Sequence, residues 1–259
     1  MMGITREITP IQSTEIFSFF GFTVANSTLF IIMIALLIVV FGLFVVKKFT
    51  LANPGKLQVS IEYIYISAFD LIKNIINDDE KTKKAFPIIG ALMFYLVIAN
   101  LIGLIPGLEQ ITFNEESIFR TPTSDFNTTF GLALAAVFIV NVISIKEKGI
   151  FIYLGQFFKF AEVWKGFKKS FGDGIMEIIN FFIGLLDIIG EATKVISLSL
   201  RLFGNMYAGQ VLAIIILGFV SFIVPSLWLA MNLFVGVLQA VVFASLVASY
   251  YMLATSKVE

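Results

Sequence analysis

The sequence predicts an all-α polytopic membrane protein. About five membrane-embedded helices are expected, plus an amphipathic surface helix, with the last two helices long and tilted in a hairpin. Three observations predict it. Hydrophobic residues make up 58% of the 259 residues and charged residues only 14%, with mean hydropathy +0.95, against about 45–50% and about 25% in soluble domains. The apolar residues come in stretches near the roughly 20 residues a span needs. Lys and Arg are sorted to one side of those stretches. A soluble enzyme of this composition could not cover its own surface, and the 29 Phe exclude a disordered chain. Zero net charge without a basic block predicts no nucleic-acid partner. The absence of Cys and His removes thiol chemistry, the commonest metal ligand and the usual near-neutral acid/base. No cofactor, no metal and no catalytic residue is therefore expected, and function must rest on Arg, Lys, Asp, Glu or neutral polar groups.

The elements follow in order. Residues 1–25 read as an outer N-terminal segment. Leu29–Val46 carries no charge, so 26–48 is the first span; Asn26, Ser27 and Thr28 suit a helix N-cap, and Lys47 and Lys48 end it. The segment lies too far in, behind too acidic a start, for a cleaved signal peptide. In 54–78, Leu57, Ile61, Ile64, Ala68, Leu71, Ile72 and Ile75 repeat at three and four. Lys56, Gln58, Glu62, Asp70, Lys73 and Asn74 fall mostly elsewhere, which reads as a helix along the membrane surface or, alternatively, one packed on a soluble partner. The second span is 85–105, between Lys83/Lys84 and Pro106-Gly107, and the third is 126–145, after an acidic loop. Residues 150–171 are basic and aromatic and look interfacial. Residues 173–221 lack proline, and about 49 residues of helix measure about 73 Å, far beyond a hydrocarbon core of about 30 Å. Pro225 marks a turn into a last helix, 227–255. No internal repeat is visible, so the chain reads as one membrane domain.

All but four of the 18 Lys and Arg fall on one side of this arrangement; Arg6 and Arg120 lie opposite, and Lys194 and Arg201 sit inside apolar sequence. The positive-inside rule then puts the C-terminus in the cytoplasm, or an equivalent compartment, and the N-terminus outside.

The stretch Asp187–Gln210 puts Asp187, Glu191, Lys194 and Arg201 into a membrane helix. Each charge at the bilayer centre costs roughly 2.5–3.5 kcal/mol, more than packing alone would retain. Asp187, Lys194 and Arg201 recur every seven residues and drift only about 20° per step, so they form a stripe. Ser197, Asn205 and Ala208 fall on or near it, with Gly204 flanking and Glu191 beside it. No carboxylate lies within one turn of Arg201. In the last helix Asn232, Gly236 and Gln239 share a face. The hairpin at Pro225 then brings Gln239 near Arg201, within expected hydrogen-bonding reach.

Ser197-Leu-Ser-Leu-Arg201-Leu-Phe-Gly204-Asn205-Met-Tyr-Ala-Gly209 resembles the signature of subunit a of F-type ATP synthases. Further matches run in family order over roughly residues 20–255: Pro54-Gly55-Lys56 with Gln58 and Glu62, Asn100-Leu-Ile-Gly-Leu-Ile-Pro106, Pro122-Thr-Ser-Asp125-Phe-Asn127 and Gln239-Ala-Val-Val-Phe243. The resemblance implies a non-catalytic stator subunit beside a rotating c-subunit ring, in membrane lipid, with peripheral-stalk b subunits and other ATP synthase subunits as partners. Arg201 would face the ring carboxylates and separate two half-channels for protons, or alternatively sodium ions. Asp187, Glu191, Lys194 and Ser197 would serve the cytoplasmic half-channel; Asn100, Asn205, Gln210, Asn232 and Gln239 would line the outer one. The chain departs from many relatives, which carry Glu at the position of Gln210, His or an acid at that of Asn232, and in some cases an acid at that of Gly103.

Two competing readings are a self-contained secondary transporter or channel, which would usually show two repeated halves, and a structural scaffold whose charges pair internally. The lack of an Arg-rich leader favours a bacterial plasma membrane, with the mitochondrial inner membrane or a thylakoid as alternatives.

Overall fold

The computed structural model describes residues 15–19, 22–50, 54–105, 108, 111–113, 116–117, 119–157, 171–219 and 223–256. Its helices are α1 (Asn26–Lys47), α2 (Lys56–Ile76), α3 (Asp79–Gly103), α4 (Phe126–Lys148), α5 (Ile150–Phe157), α6 (Phe171–Phe219) and α7 (Ile223–Thr255). Two short antiparallel strand pairs are present, β1 (Glu15–Phe19) with β2 (Phe22–Ala25) before α1 and β3 (Thr112–Phe113) with β4 (Glu116–Ser117) between α3 and α4. A 3-10 turn, Pro122–Ser124, leads into α4. The molecule is an all-α polytopic membrane protein. Among the described residues α1, α3, α4 and Ser226–Thr255 of α7 are long and apolar enough to cross a membrane. The fifth long helix, α6, carries the charges; its 49 residues exceed the hydrocarbon thickness more than twofold.

Several boundaries differ from those expected. Helix α3 starts at Asp79 rather than at 85, because the Asp78 carboxylate caps it by accepting from the Glu80 and Lys81 amides. The charged first turns thus extend the apolar run as one helix, with Pro87 inside it. Helix α7 starts at Ile223, so Pro225 lies in its first turn, where a missing N–H costs little. The interfacial segment expected over 150–171 is helical through Phe157, and its remainder to 170 lies outside the described residues.

The Asn26-Ser27-Thr28 cap does not form. Helix α1 begins at Asn26, behind Ala25, with no side-chain cap. Ser27 Oγ instead donates to Asp125 Oδ2 at 2.8 Å, tying α1 to the start of α4. That carboxylate also accepts from Thr128 Oγ1 and the Asn127 amide. The α2 stripe is only half used. Ala68, Ile72 and Ile76 are buried against the bundle, whereas Leu57 and Ile64 are exposed and Gln58 is buried.

The core joins α2, α3, α4, α6 and α7. Small residues let the backbones approach: Ala240, Ala244 and Ala248 form a row on α7, and Ala133 and Ala136 face the core from α4. Phe243, Leu198, Leu202 and Leu96 fill the space between. At one end the last carbonyls of α7 are held from two helices, Thr255 O by Lys81 Nζ at 3.0 Å and Ala254 O by Ser144 Oγ at 2.7 Å. Much of the outside stays apolar; Leu36, Val40, Leu43 and Val46 of α1 are each more than half exposed, a surface for lipid or partner subunits.

Candidate functional site

Arg201 sits midway along α6 with its side chain exposed. Among the described residues no hydrogen bond or ion pair reaches its guanidinium. The reason is one of phase. Val195, Leu198, Ser199, Leu202, Met206 and Gly209 turn inward, leaving Asp187, Ser197, Arg201, Asn205 and Ala208 on the outside together with Ile196 and Leu200. The nearest carboxylates on its own helix are far away: Glu191 is ten residues back, about 15 Å, and Asp187 fourteen, about 21 Å. A permanently charged group therefore stands exposed among Ile196, Ser197, Leu200 and Asn205 without a counter-ion from its own helix.

Two polar clusters flank it along the helix. On one side, Glu191 is held at both oxygens. Lys194 Nζ donates to Oε1, and Asn141 Nδ2, from α4, donates to Oε2 at 3.3 Å. Lys194 also lies over the Tyr250 ring of α7, 5.2 Å from its centroid. Helices α4, α6 and α7 thus meet at one charged pair. Asp187 and Ser197, expected nearby, are exposed and outside this cluster.

On the other side a string of amides crosses from α6 to α7 and α3. Asn205 Nδ2 donates to Gln239 Oε1 at 2.7 Å. The expected Arg201–Gln239 contact is replaced by this bond, one turn further along. Asn100 Nδ2 donates to Gly236 O at 2.8 Å, and a Cβ at Gly236 would lie 3.2 Å from Asn100 Cβ. Asn232 Nδ2 and Trp228 Nε1 both donate to Gly209 O, at 3.3 and 3.0 Å. A Cβ at Gly209 would lie 2.8 Å from Asn232 Oδ1, so glycine permits this crossing. Gln210 Nε2 donates to Thr121 Oγ1 at 3.1 Å. Asn100, Asn232 and Gln239 are buried, whereas Asn205 is exposed. Asn100 Oδ1 and Gln239 Nε2 have no hydrogen-bond partner within the described structure.

Asn141, Tyr250, Thr121 and Trp228 were not singled out from sequence. Asn141 had a usable signal, an amide deep in an apolar span. Thr121, in the loop before Pro122, had none.

The ATP synthase A chain family model matches residues 28–252. Among curated relatives, the chain is similar to ATP synthase subunit a of Lysinibacillus sphaericus, 30% identical over 89% of this chain and 92% of the relative. It is similar to that of Desulforamulus reducens at 30%, over 89% and 79%, and to that of Wigglesworthia glossinidia brevipalpis at 29%, over 93% and 85%. With a family match spanning nearly the whole helical bundle, and relatives aligned through the Arg201 helix, the chain belongs to the ATP synthase A chain family, subunit a of the membrane FO sector.

Proposed function

We propose that this chain is the ion-translocating stator of a rotary ATP synthase, with Arg201 facing the mid-membrane carboxylates of a c-subunit ring. The observation that carries this reading is the exposed guanidinium, unpaired among the described residues, on the outward face of a membrane helix. No described residue supplies its counter-charge, and a carboxylate passing on a partner subunit would do so. Beside Arg⁺ such a carboxylate releases its proton; moving on into lipid it must take one up, because a bare charge there is costly. Two half-channels offset across Arg201 then convert ion flow into rotation. Each 100 mV supplies about 2.3 kcal/mol per elementary charge moved.

The flanking clusters support the two routes. The outer one would run through Asn100, Asn232, Gln210, Gln239 and Asn205. Their amides cannot titrate, so conduction there would rely on ordered water, which the unpaired Asn100 Oδ1 and Gln239 Nε2 are suited to bind. The inner one would run past Asp187, Ser197 and the Glu191–Lys194 pair. With both Glu191 oxygens engaged, Asp187 is the freer carboxylate for proton exchange. The same oxygen-rich linings suit sodium, and synthesis by reconstituted complex under a proton gradient, with and without sodium, separates the two ions. The peripheral-stalk b subunits would complete the stator. The cation distribution supports a cytoplasmic, or equivalent, placement of the C-terminus.

Arg201→Lys tests the reading. It keeps the charge but loses the planar fork, so the complex should assemble yet lose proton-coupled ATP synthesis. Full synthesis by an Arg201→Ala complex would overturn it.

A further inference from the structure

We propose that the cleft between the end of α1 and the start of α2 binds one anionic phospholipid, with its acyl chain along α1 and its phosphate at Lys48. The cleft has a volume of about 320 Å³, and its walls include Phe41, Phe44, Val45, Lys48, Leu57 and Gln58. Its two levels differ in chemistry. The uncharged run of α1 ends at Val46, so Phe41, Phe44 and Val45 lie at hydrocarbon depth. Lys48 stands at the headgroup level, its Nζ 4.2 Å from the Phe44 ring centroid. Lys47 and Lys56 are exposed on either side, and no acidic residue is among the lining residues.

The cleft is built rather than incidental. Gln58 Nε2 donates to Thr50 O and Gln58 Oε1 accepts from Thr50 N, each at 3.1 Å, which clasps the chain leaving α1 onto the first turn of α2. The same amide donates to Glu62 Oε1 at 2.7 Å. Gln58 is therefore spent within the chain, and so is the nearest carboxylate. The polar recognition left at the mouth is cationic. The positive end of the α2 dipole adds to it, since the first turn of α2 holds no acidic residue.

Charge and shape choose the occupant. Juxtamembrane lysines attract anionic lipid, whereas a choline headgroup brings its own cation to the same place. The apolar floor of Phe41, Phe44 and Val45 beneath a cationic mouth matches the two chemistries of one lipid, an acyl chain below a phosphate.

The test uses the ATP synthase complex carrying this chain, reconstituted in nanodiscs of phosphatidylglycerol and phosphatidylcholine with matched acyl chains. The photo-reactive p-benzoylphenylalanine replaces exposed Leu57, and adducts are identified by mass. A phosphatidylglycerol adduct in several-fold excess over phosphatidylcholine is expected, and Lys48→Glu should reduce it by about an order of magnitude, as one attraction becomes a repulsion. Equal labelling by the two lipids, an adduct with another subunit, no lipid adduct, or indifference to Lys48→Glu would each overturn the proposal. Native mass spectrometry of the unlabelled Lys48→Glu complex, which should retain less phosphatidylglycerol, reads the same loss without the probe.

Discussion

Gly103 ends α3 against Thr121, and Gly103→Ala tests how tightly this end of the bundle is built. An added Cβ would meet Thr121 Cγ2 at 2.3 Å, Oγ1 at 2.4 Å and Cβ at 2.9 Å, where carbon contacts ordinarily lie near 3.5–4.0 Å. Rotating Thr121 about χ1 moves the first two atoms but not its Cβ. Thr121 is fully buried, and Pro122 follows it with a fixed φ, so the backbone itself must give. Overpacking of this kind costs about 1–3 kcal/mol. Displacing Thr121 also breaks its bond from Gln210, about 0.5–1.5 kcal/mol, while replacing a helical glycine returns about 0.5–1 kcal/mol. The expected net loss is about 1–3 kcal/mol. It should be read as a lower apparent melting temperature of the purified complex and slower ATP-driven pumping in inverted vesicles, because Gln210 loses its bond to Thr121. Thr121→Ser removes Cγ2 but keeps the hydroxyl. Alone it should be mild, and combined with Gly103→Ala it should restore part of the loss, with a coupling of about 0.5–3 kcal/mol. A silent Gly103→Ala, or losses that simply add, would refute the packing argument.

Two further substitutions separate scaffold from machinery. Ser144→Ala removes a buried hydroxyl bonded to Ala254 O and should cost about 1 kcal/mol of stability while pumping per assembled complex stays normal. Asn141→Ala leaves Glu191 paired with Lys194 alone; for a partly exposed 3.3 Å bond to a charge the loss should sit near about 1.5 kcal/mol, together with slower pumping, and unchanged pumping would make Asn141 structural only.

The arrangement around Arg201 was partly legible in advance. The seven-residue spacing grouped Asp187, Lys194 and Arg201 on one stripe, since helical phase is a local property; the structure exposes Asp187 and Arg201 and turns Lys194 to Glu191 and Tyr250. The contact assigned to Gln239 was one turn off, because the register of two antiparallel helices depends on every side chain between them. Here Gly209 lets α6 and α7 approach at Asn232, and they settle where Gln239 meets Asn205. The Ser27 hydroxyl was misread for a similar reason. A serine before an apolar run caps by default, but Asp125, far away in sequence, competed for it.

Composition and apolar run length made this a polytopic helical membrane protein, because in lipid each span must satisfy its backbone internally and therefore declares itself locally. The Arg201 motif likewise carried the family in a short stretch of chain. Which amide bonds which carbonyl, that Asn141 reaches Glu191, and that a cleft opens beside Lys48 were matters for the tertiary structure. Those contacts join residues up to 136 positions apart, as in Asn100 and Gly236. Interhelical packing sets them at ångström precision, and no local periodicity encodes it.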